Sequence, residues 1–269
     1  MHARFATALT ITLLSPLCLA AQQPQNTNAQ SIVQQAVSAE LAAERTDHAL
    51  WHYRMSEKQE NDTVYDVVDT AQGEVKQKVE IAGQPLTPEQ QKAEAAKVHK
   101  FLSDPSEQAK RRRDDEHDNK SAEKMLNLLP HAFLWSVAST EGDSITLHFA
   151  PDPDFHAPDI ESRVFAVMIG DLVVDKQQHR IRTIRGKLSQ DVNIGFGVLG
   201  KLREGGTFDV ERRQLAPGCW QIVETHVHID GRALLFKTIG QQTDEVKTAF
   251  QPIPQSTTLD QAAVLIASR

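Results

Sequence analysis

The sequence predicts an α+β chain, mainly antiparallel β, and three observations carry that prediction. From Asp171 to Phe250, strand-length runs rich in Val, Ile, Thr and Phe follow one another: LVVD, RIRTIRGKL, DVNIGFG, GTFDVERRQL, CWQIVETHVHID and RALLFKTI. The breaks between them fall at turn residues such as Gly-Gly, Pro-Gly and Asp-Gly, so the runs read as the meander of an open sheet or barrel. Helical signals are confined to the start, to a charged stretch in the middle and to the last residues.

The 269-residue chain opens MHARFATALTITLLSPLCLAAQQ. A positive start at Arg4, an apolar stretch from Phe5 to Leu19 and small residues after it form a secretory signal peptide over 1–20. The stretch is too short to span a bilayer. Cleavage near Ala20 or Ala21 is favoured over lipidation of Cys18, because Leu17 stands where a small residue is expected. Cleavage leaves Cys219 as the survivor of two cysteines, so no intrachain disulfide forms although the compartment permits one. About 250 residues remain, enough to bury about three quarters of the surface of the unfolded chain. A net charge of −7 offers no general field for nucleic acid or acidic lipid. No second stretch is long enough to cross a membrane, and the expected location is periplasmic and soluble.

The elements follow in order. Residues 21–30 are polar and read as a flexible leader. SIVQQAVSAELAAERT is helical, with Ser31 as N-cap and Ile32, Val33, Ala36, Val37 and Leu41 on one face. HALWHYRMSE, DTVYDVVD and GEVKQKVEIAG are strands, the third alternating apolar and charged positions as a sheet with one wet side requires. Thr87-Pro88-Glu89-Gln90 is a helix start with an N-cap, a first-turn Pro and a capping-box Gln. Asp104-Pro105-Ser106-Glu107 repeats the signal. The second helix runs through KRRRDDEHDNK, almost without apolar residues, and a helix this polar projects into water. Pro130 is expected to end it. AFLWSVAST and DSITLHFAPD form a hairpin. ESRVFAVMIG reads equally as a strand or a short buried helix. AAVLIAS packs as a closing helical turn.

Few constellations point to chemistry. Gly195-Phe196-Gly197-Val198-Leu199-Gly200 matches a dinucleotide fingerprint, but Glu204-Gly205-Gly206 cuts off the helix that such a site needs and a strand follows. A glycine-rich strand end is the favoured reading. His226 and His228 lie on one face of a strand and make a metal half-site, with His148, His156 or Asp154 as third ligand. Glu224 and Asp230 share that face, and a solvated polar face is favoured. No cofactor is expected. Cys219 is read as a small buried hydrophobe.

Helix, three strands, a helical excursion and closing strands now invite comparison. The carrying segments are Ile81-Ala82-Gly83-Gln84-Pro85-Leu86, the charged helix from Glu107 to Lys124, Gly170 to Asp175, Gly197 to Leu202, and Gly231-Arg232-Ala233-Leu234-Leu235-Phe236-Lys237. With these the chain resembles the LolA/LolB-type periplasmic lipoprotein-localisation-factor superfamily, and more narrowly a branch of secreted acidobacterial proteins. The resemblance implies one domain over 31–269, an open, unclosed half-barrel covered by helices, with a charged helical insertion at 87–130. It also implies a cavity for acyl chains or lipoproteins. The R-P-x-x-F-R-W segment of the lipoprotein carriers is absent after the third strand, so no functional residue carries over.

The expected function is non-enzymatic: binding a lipid, lipoprotein or other hydrophobic ligand, with no catalytic residue. The candidate cavity lining is Trp51, Tyr53, Phe133, Trp135, Phe196, Trp220 and Phe236; core packing is the competing role for these aromatics. The alternative function is an envelope interaction or sensing module that meets a partner protein through helix 107–124. A metal-dependent hydrolase built on His226 and His228 ranks third.

Overall fold

A computed structural model describes residues 25–159, 161–194, 200–232 and 241–267. Helix α1 (Gln25–Thr46) leads into β1 (Leu50–Glu57), β2 (Thr63–Val68), β3 (Val75–Ile81) and the two-residue β4 (Gln84–Pro85). Helices α2 (Pro88–Leu102) and α3 (Pro105–Ala132) follow. Then come β5 (Phe133–Glu141), β6 (Ser144–Pro151), a 3-10 turn over Glu161–Val167, β7 (Met168–Asp175) and β8 (Ile181–Leu188). Two short strands, β9 (Val192–Ile194) and β10 (Gly200–Leu202), precede the long β11 (Thr207–Ala216) and β12 (Cys219–Ile229). After these lie β13 (Gly231–Arg232), β14 (Gln241–Ile253) and α4 (Leu259–Ala267).

Eleven strands form one antiparallel sheet in the order β4-β3-β2-β1-β14-β12-β11-β8-β7-β6-β5. The sheet is open, with β4 and β5 as its edges. The sequence meander is therefore present, but it is not continuous. DVNIGFG was expected within it, whereas β9 leaves the main sheet and joins β10 and β13 in a separate three-stranded sheet. Of RALLFKTI, only Arg232 is described. The strand that joins the two halves of the main sheet is β14, paired on one side with β1 and on the other with β12. Its sequence, QQTDEVKTAFQPI, has no apolar alternation to announce a strand.

Two of the helix starts read from sequence hold. Thr87 caps α2 and exchanges both capping-box hydrogen bonds with Gln90, and Asp104 caps α3 by accepting from the amides of Ser106 and Glu107. Three boundaries differ. α1 begins at Gln25, so Ser31 sits inside the helix rather than at its N-cap. Ala29 and Val33, one turn apart, are both fully buried, and their burial supports helix over 25–30 of the expected leader. α3 runs past Pro130 to Ala132. Leu129 and Ala132 are buried and hold the last turn, and the Gln30 side chain donates to the Pro130 carbonyl. ESRVFAVMIG divides: its first part is the 3-10 turn and its end is β7.

Directly opposite residues of neighbouring strands share a face. α1 and α3 pack on one face at the β5 end, over Trp135, Leu147, Phe149, Leu172 and Val174. Each of these side chains gains about 1.5–3 kcal/mol by leaving water. α2 and α4 pack near the other end, where Val98, Phe101, Leu259 and Ile266 cover Val68 and Val75. A third cluster joins Trp51, Tyr53, Met55, Tyr65 and Val67 to Phe250. Helix α3, about 42 Å long at 1.5 Å per residue, touches both regions. The Arg111 guanidinium stacks on Phe101 of α2 at 4.2 Å. Near its far end, Leu129 accepts the indole hydrogen bond of Trp135. Residues 112–120 between these anchors are all exposed.

Candidate functional site

A space of about 550 Å³ lies between α1, α3 and the sheet strands β8, β11 and β12. Its apolar wall is built from residues far apart in sequence. Leu126 and Leu129 come from the C-terminal third of α3, Ile181 and Ile184 from β8, Trp220 and Ile222 from β12. Ile222 is 41% exposed, the mark of a lip rather than of a packed core residue. The volume falls within the ordinary range for small-ligand pockets.

A buried charge cluster forms the polar part of the same space. Glu40 of α1 is 6% exposed, and its carboxylate accepts three hydrogen bonds. Arg180 Nη2 donates at 3.0 Å, Arg212 Nη1 at 2.5 Å and the Ile181 amide at 2.6 Å. Burial pushes the Glu40 carboxyl up, but Arg212 and Arg180 outweigh it and hold the group below the usual carboxylate range. Arg180 also donates to the Gly218 carbonyl at 3.2 Å, which ties the β11–β12 turn to the cluster. Arg180 Nε is buried and has no hydrogen-bond partner among the described residues. The arrangement sets an apolar wall beside two guanidiniums, Arg180 and Arg212, and three carboxylates, Glu40, Glu44 and Asp47.

The aromatics singled out from sequence do not share one wall. Phe133 and Trp135 stack edge to face at 5.7 Å and, with Phe149 and Phe165, fill the core under α1. Trp51 and Tyr53 pack against Phe250 at 6.1 and 5.1 Å. Trp220 borders the 550 Å³ space, with its indole N–H donated to Gln178 at 3.1 Å. Phe196 and Phe236 lie outside the described residues, as do residues 195–199 of the glycine-rich stretch. Sequence reasoning missed Leu126, Ile184 and Ile222. They are ordinary aliphatic residues with no local signal, and only the fold brings them together.

The two histidines sit on the sheet face opposite Leu147 and Phe149. His226 Nδ1 and His228 Nε2 lie 2.8 and 2.9 Å from the two oxygens of Asp244, the residue opposite His226 on β14. Gln59 donates to Asp244 at 2.6 Å and accepts from its amide at 2.6 Å. The imidazoles hold the Asp244 carboxyl at about 2, and Asp244 in turn raises His226. The expected third ligands are elsewhere: His148 bonds Asp171 at 3.0 Å and His156 meets the Asp154 carbonyl at 2.8 Å. Among the described residues no group of three His, Cys, Asp or Glu is placed to hold a metal ion. Instead, a row of directly opposed residues crosses six strands as His148, Asp171, Arg185, Asp209, His226 and Asp244. It reads as a charged, water-facing ladder.

No protein-family model matches the chain, and neither a curated protein nor a solved structure matches it. No helix among the described residues is long and apolar enough to cross a membrane.

Proposed function

We propose that this chain is a non-enzymatic, exported envelope protein that holds a lipid, a lipoprotein segment or another hydrophobic ligand between its helices and its sheet. The observation that carries the reading is the space bounded by α1, α3, β8, β11 and β12, with the apolar side chains of Leu126, Leu129, Ile181, Ile184 and Trp220 on its wall and half-exposed Ile222 at its lip. The open antiparallel sheet, with α1 and α3 across one of its faces, supports the LolA-like half-barrel that the sequence resembles. The apolar, positively started N-terminus supports export.

The test uses native mass spectrometry of protein purified from an envelope fraction, together with binding of a hydrophobic dye. Co-purified lipid, and dye binding that falls in Ile222→Glu, are expected. A lipid-free protein that binds no dye rejects the reading. Export is checked separately by the mature N-terminus, expected at or next to residue 21.

A second reading rests on the exposed run 112–120, which carries Arg112 and Arg113 followed by Asp114, Asp115 and Glu116. This solvated segment suits contact with an envelope partner protein. Its test is replacement of the charged side chains within 112–118 rather than deletion of α3, because Leu129 and Ala132 of that helix belong to the core. Loss of partner capture with an unchanged melting temperature is the expected result.

A further inference from the structure

We infer that the sheet face opposite α1 and α3 docks a second copy of this chain, the two sheets stacking face to face about a two-fold axis parallel to the strands. The ladder His148, Asp171, Arg185, Asp209, His226 and Asp244 crosses this face on β6, β7, β8, β11, β12 and β14. Basic and acidic side chains alternate along it. A two-fold contact uses the same patch of both copies, so that patch must be complementary to itself. Turning the ladder over about an axis between β8 and β11 sets Arg185 on Asp209 of the second copy, Asp171 on His226 and His148 on Asp244. Every acid then meets a base. A two-fold axis running across the strands would instead set each side chain on its own like, Arg185 on Arg185 and Asp209 on Asp209, and like charges oppose that arrangement.

The two central members of the ladder are the ones left open. His148 is held by Asp171 at 3.0 Å, and His226 by Asp244 at 2.8 Å. Arg185 and Asp209 stand opposite each other on β8 and β11, yet neither forms an ion pair or a side-chain hydrogen bond among the described residues. Arg185 is exposed and Asp209 half-buried. Because the axis passes between them, a single dimer engages the pair twice. A hollow of about 520 Å³ opens around this pair, with Ile169 and Thr207 on its lining, and gives room for the opposing side chains. The flanking rows agree with the same axis. On one side Lys187 of one copy meets Thr207 of the other, and Ile169 meets His228. On the other side Thr183 meets Glu211, and Val173 meets Glu224. No like charges are opposed in either row. Sheets stacked face to face keep their strands within about 30° of each other, which preserves these pairings near the axis. Exposed ion pairs contribute little each and are screened by salt, so the dimer is weak and salt-sensitive.

Sedimentation equilibrium of the full mature chain tests this. A monomer–dimer equilibrium is expected, its association constant falling about tenfold or more between about 50 and about 500 mM salt. Arg185→Asp and Asp209→Arg each set like charges together at both central contacts, and each is expected to weaken self-association by about tenfold or more. Mixing the two variants puts an acid on a base at both contacts again. The mixture is therefore expected to form a heterodimer within about threefold of the parental affinity, and its recovery also shows that both variants are folded. A chain that stays monomeric at every concentration overturns the inference and leaves this face to solvent. A dimer that neither reversal weakens overturns it by placing the contact elsewhere. Weakening in both variants without recovery in the mixture overturns the pairing of Arg185 with Asp209.

Discussion

Glu40 shows how much one buried residue decides. Its carboxylate neutralises part of two guanidiniums inside the protein, and removing one member of such a cluster leaves charge without compensation. Glu40→Ala is expected to lower stability by about 3–5 kcal/mol, read as a shift of the urea midpoint. The folded carboxyl titrates below its unfolded value, so its contribution is complete above about pH 4.3. It is lost as pH falls through the folded pKa, and the variant and parent curves should converge on acidification. Asp69 has the opposite sign. Burial, and then the nearby Glu74, raise its carboxyl to about 6. The folded state therefore holds this proton more tightly than the unfolded chain. Stability is lost as pH climbs from about 4 through 6 and stays lost above. Asp69→Asn is expected to gain about 1–3 kcal/mol at pH 8 and almost nothing at pH 4. Thermal melts at the two pH values decide this, and an equal gain at both contradicts it.

At the scale of elements, β7 and β8 depend on a pair of facing glycines, Gly170 and Gly186. A Cβ on Gly170 would stand 2.0 Å from the Arg185 carbonyl oxygen, and one on Gly186 would stand 2.3 Å from the Ile169 carbonyl oxygen. Both neighbours are backbone and cannot step aside. Gly170→Ala is expected to cost about 4 kcal/mol or more. Gly83→Ala meets nothing within 4 Å and pays only for its positive φ of 71°, about 1–2 kcal/mol. Soluble yield and urea midpoints of the two variants should differ accordingly. The elements also show what a sequence reveals. Helices α2 and α3 were legible because their caps are local: Thr87 with Gln90, and Asp104 before Pro105, act within one turn. The hairpin β5–β6 was legible by its alternation. Strand β14 was not, because its place is fixed by β1 and β12 on either side and not by its own apolar pattern. The cavity wall was least legible. Glu40 and Arg180 are 140 residues apart, and neither carries a motif.

For the whole molecule, two helix-covered regions lie on one sheet, and only one of them borders the candidate cavity. α1 and the last third of α3 line the space, whereas α2 and α4 close a separate cluster over Val68 and Val75. This asymmetry makes a prediction about where a bound guest is felt. A ligand that binds only the native state at one hundred times its dissociation constant adds about 2.7 kcal/mol to global stability. Openings smaller than global unfolding gain protection only where they break the site. With the hydrophobic dye at saturation, hydrogen exchange should slow in 40–47 of α1, 119–129 of α3 and 219–223 of β12. Sub-global exchange in α2 and α4 should stay as it was. The run 112–118 makes no described contact with the cavity wall and should also be unchanged, which separates ordering of α3 as a whole from closure of its inner third on the guest. Protection confined to the Val68–Phe101 cluster would place the ligand on the opposite end of the sheet, and the α1–α3 space would then be packing space rather than a binding site.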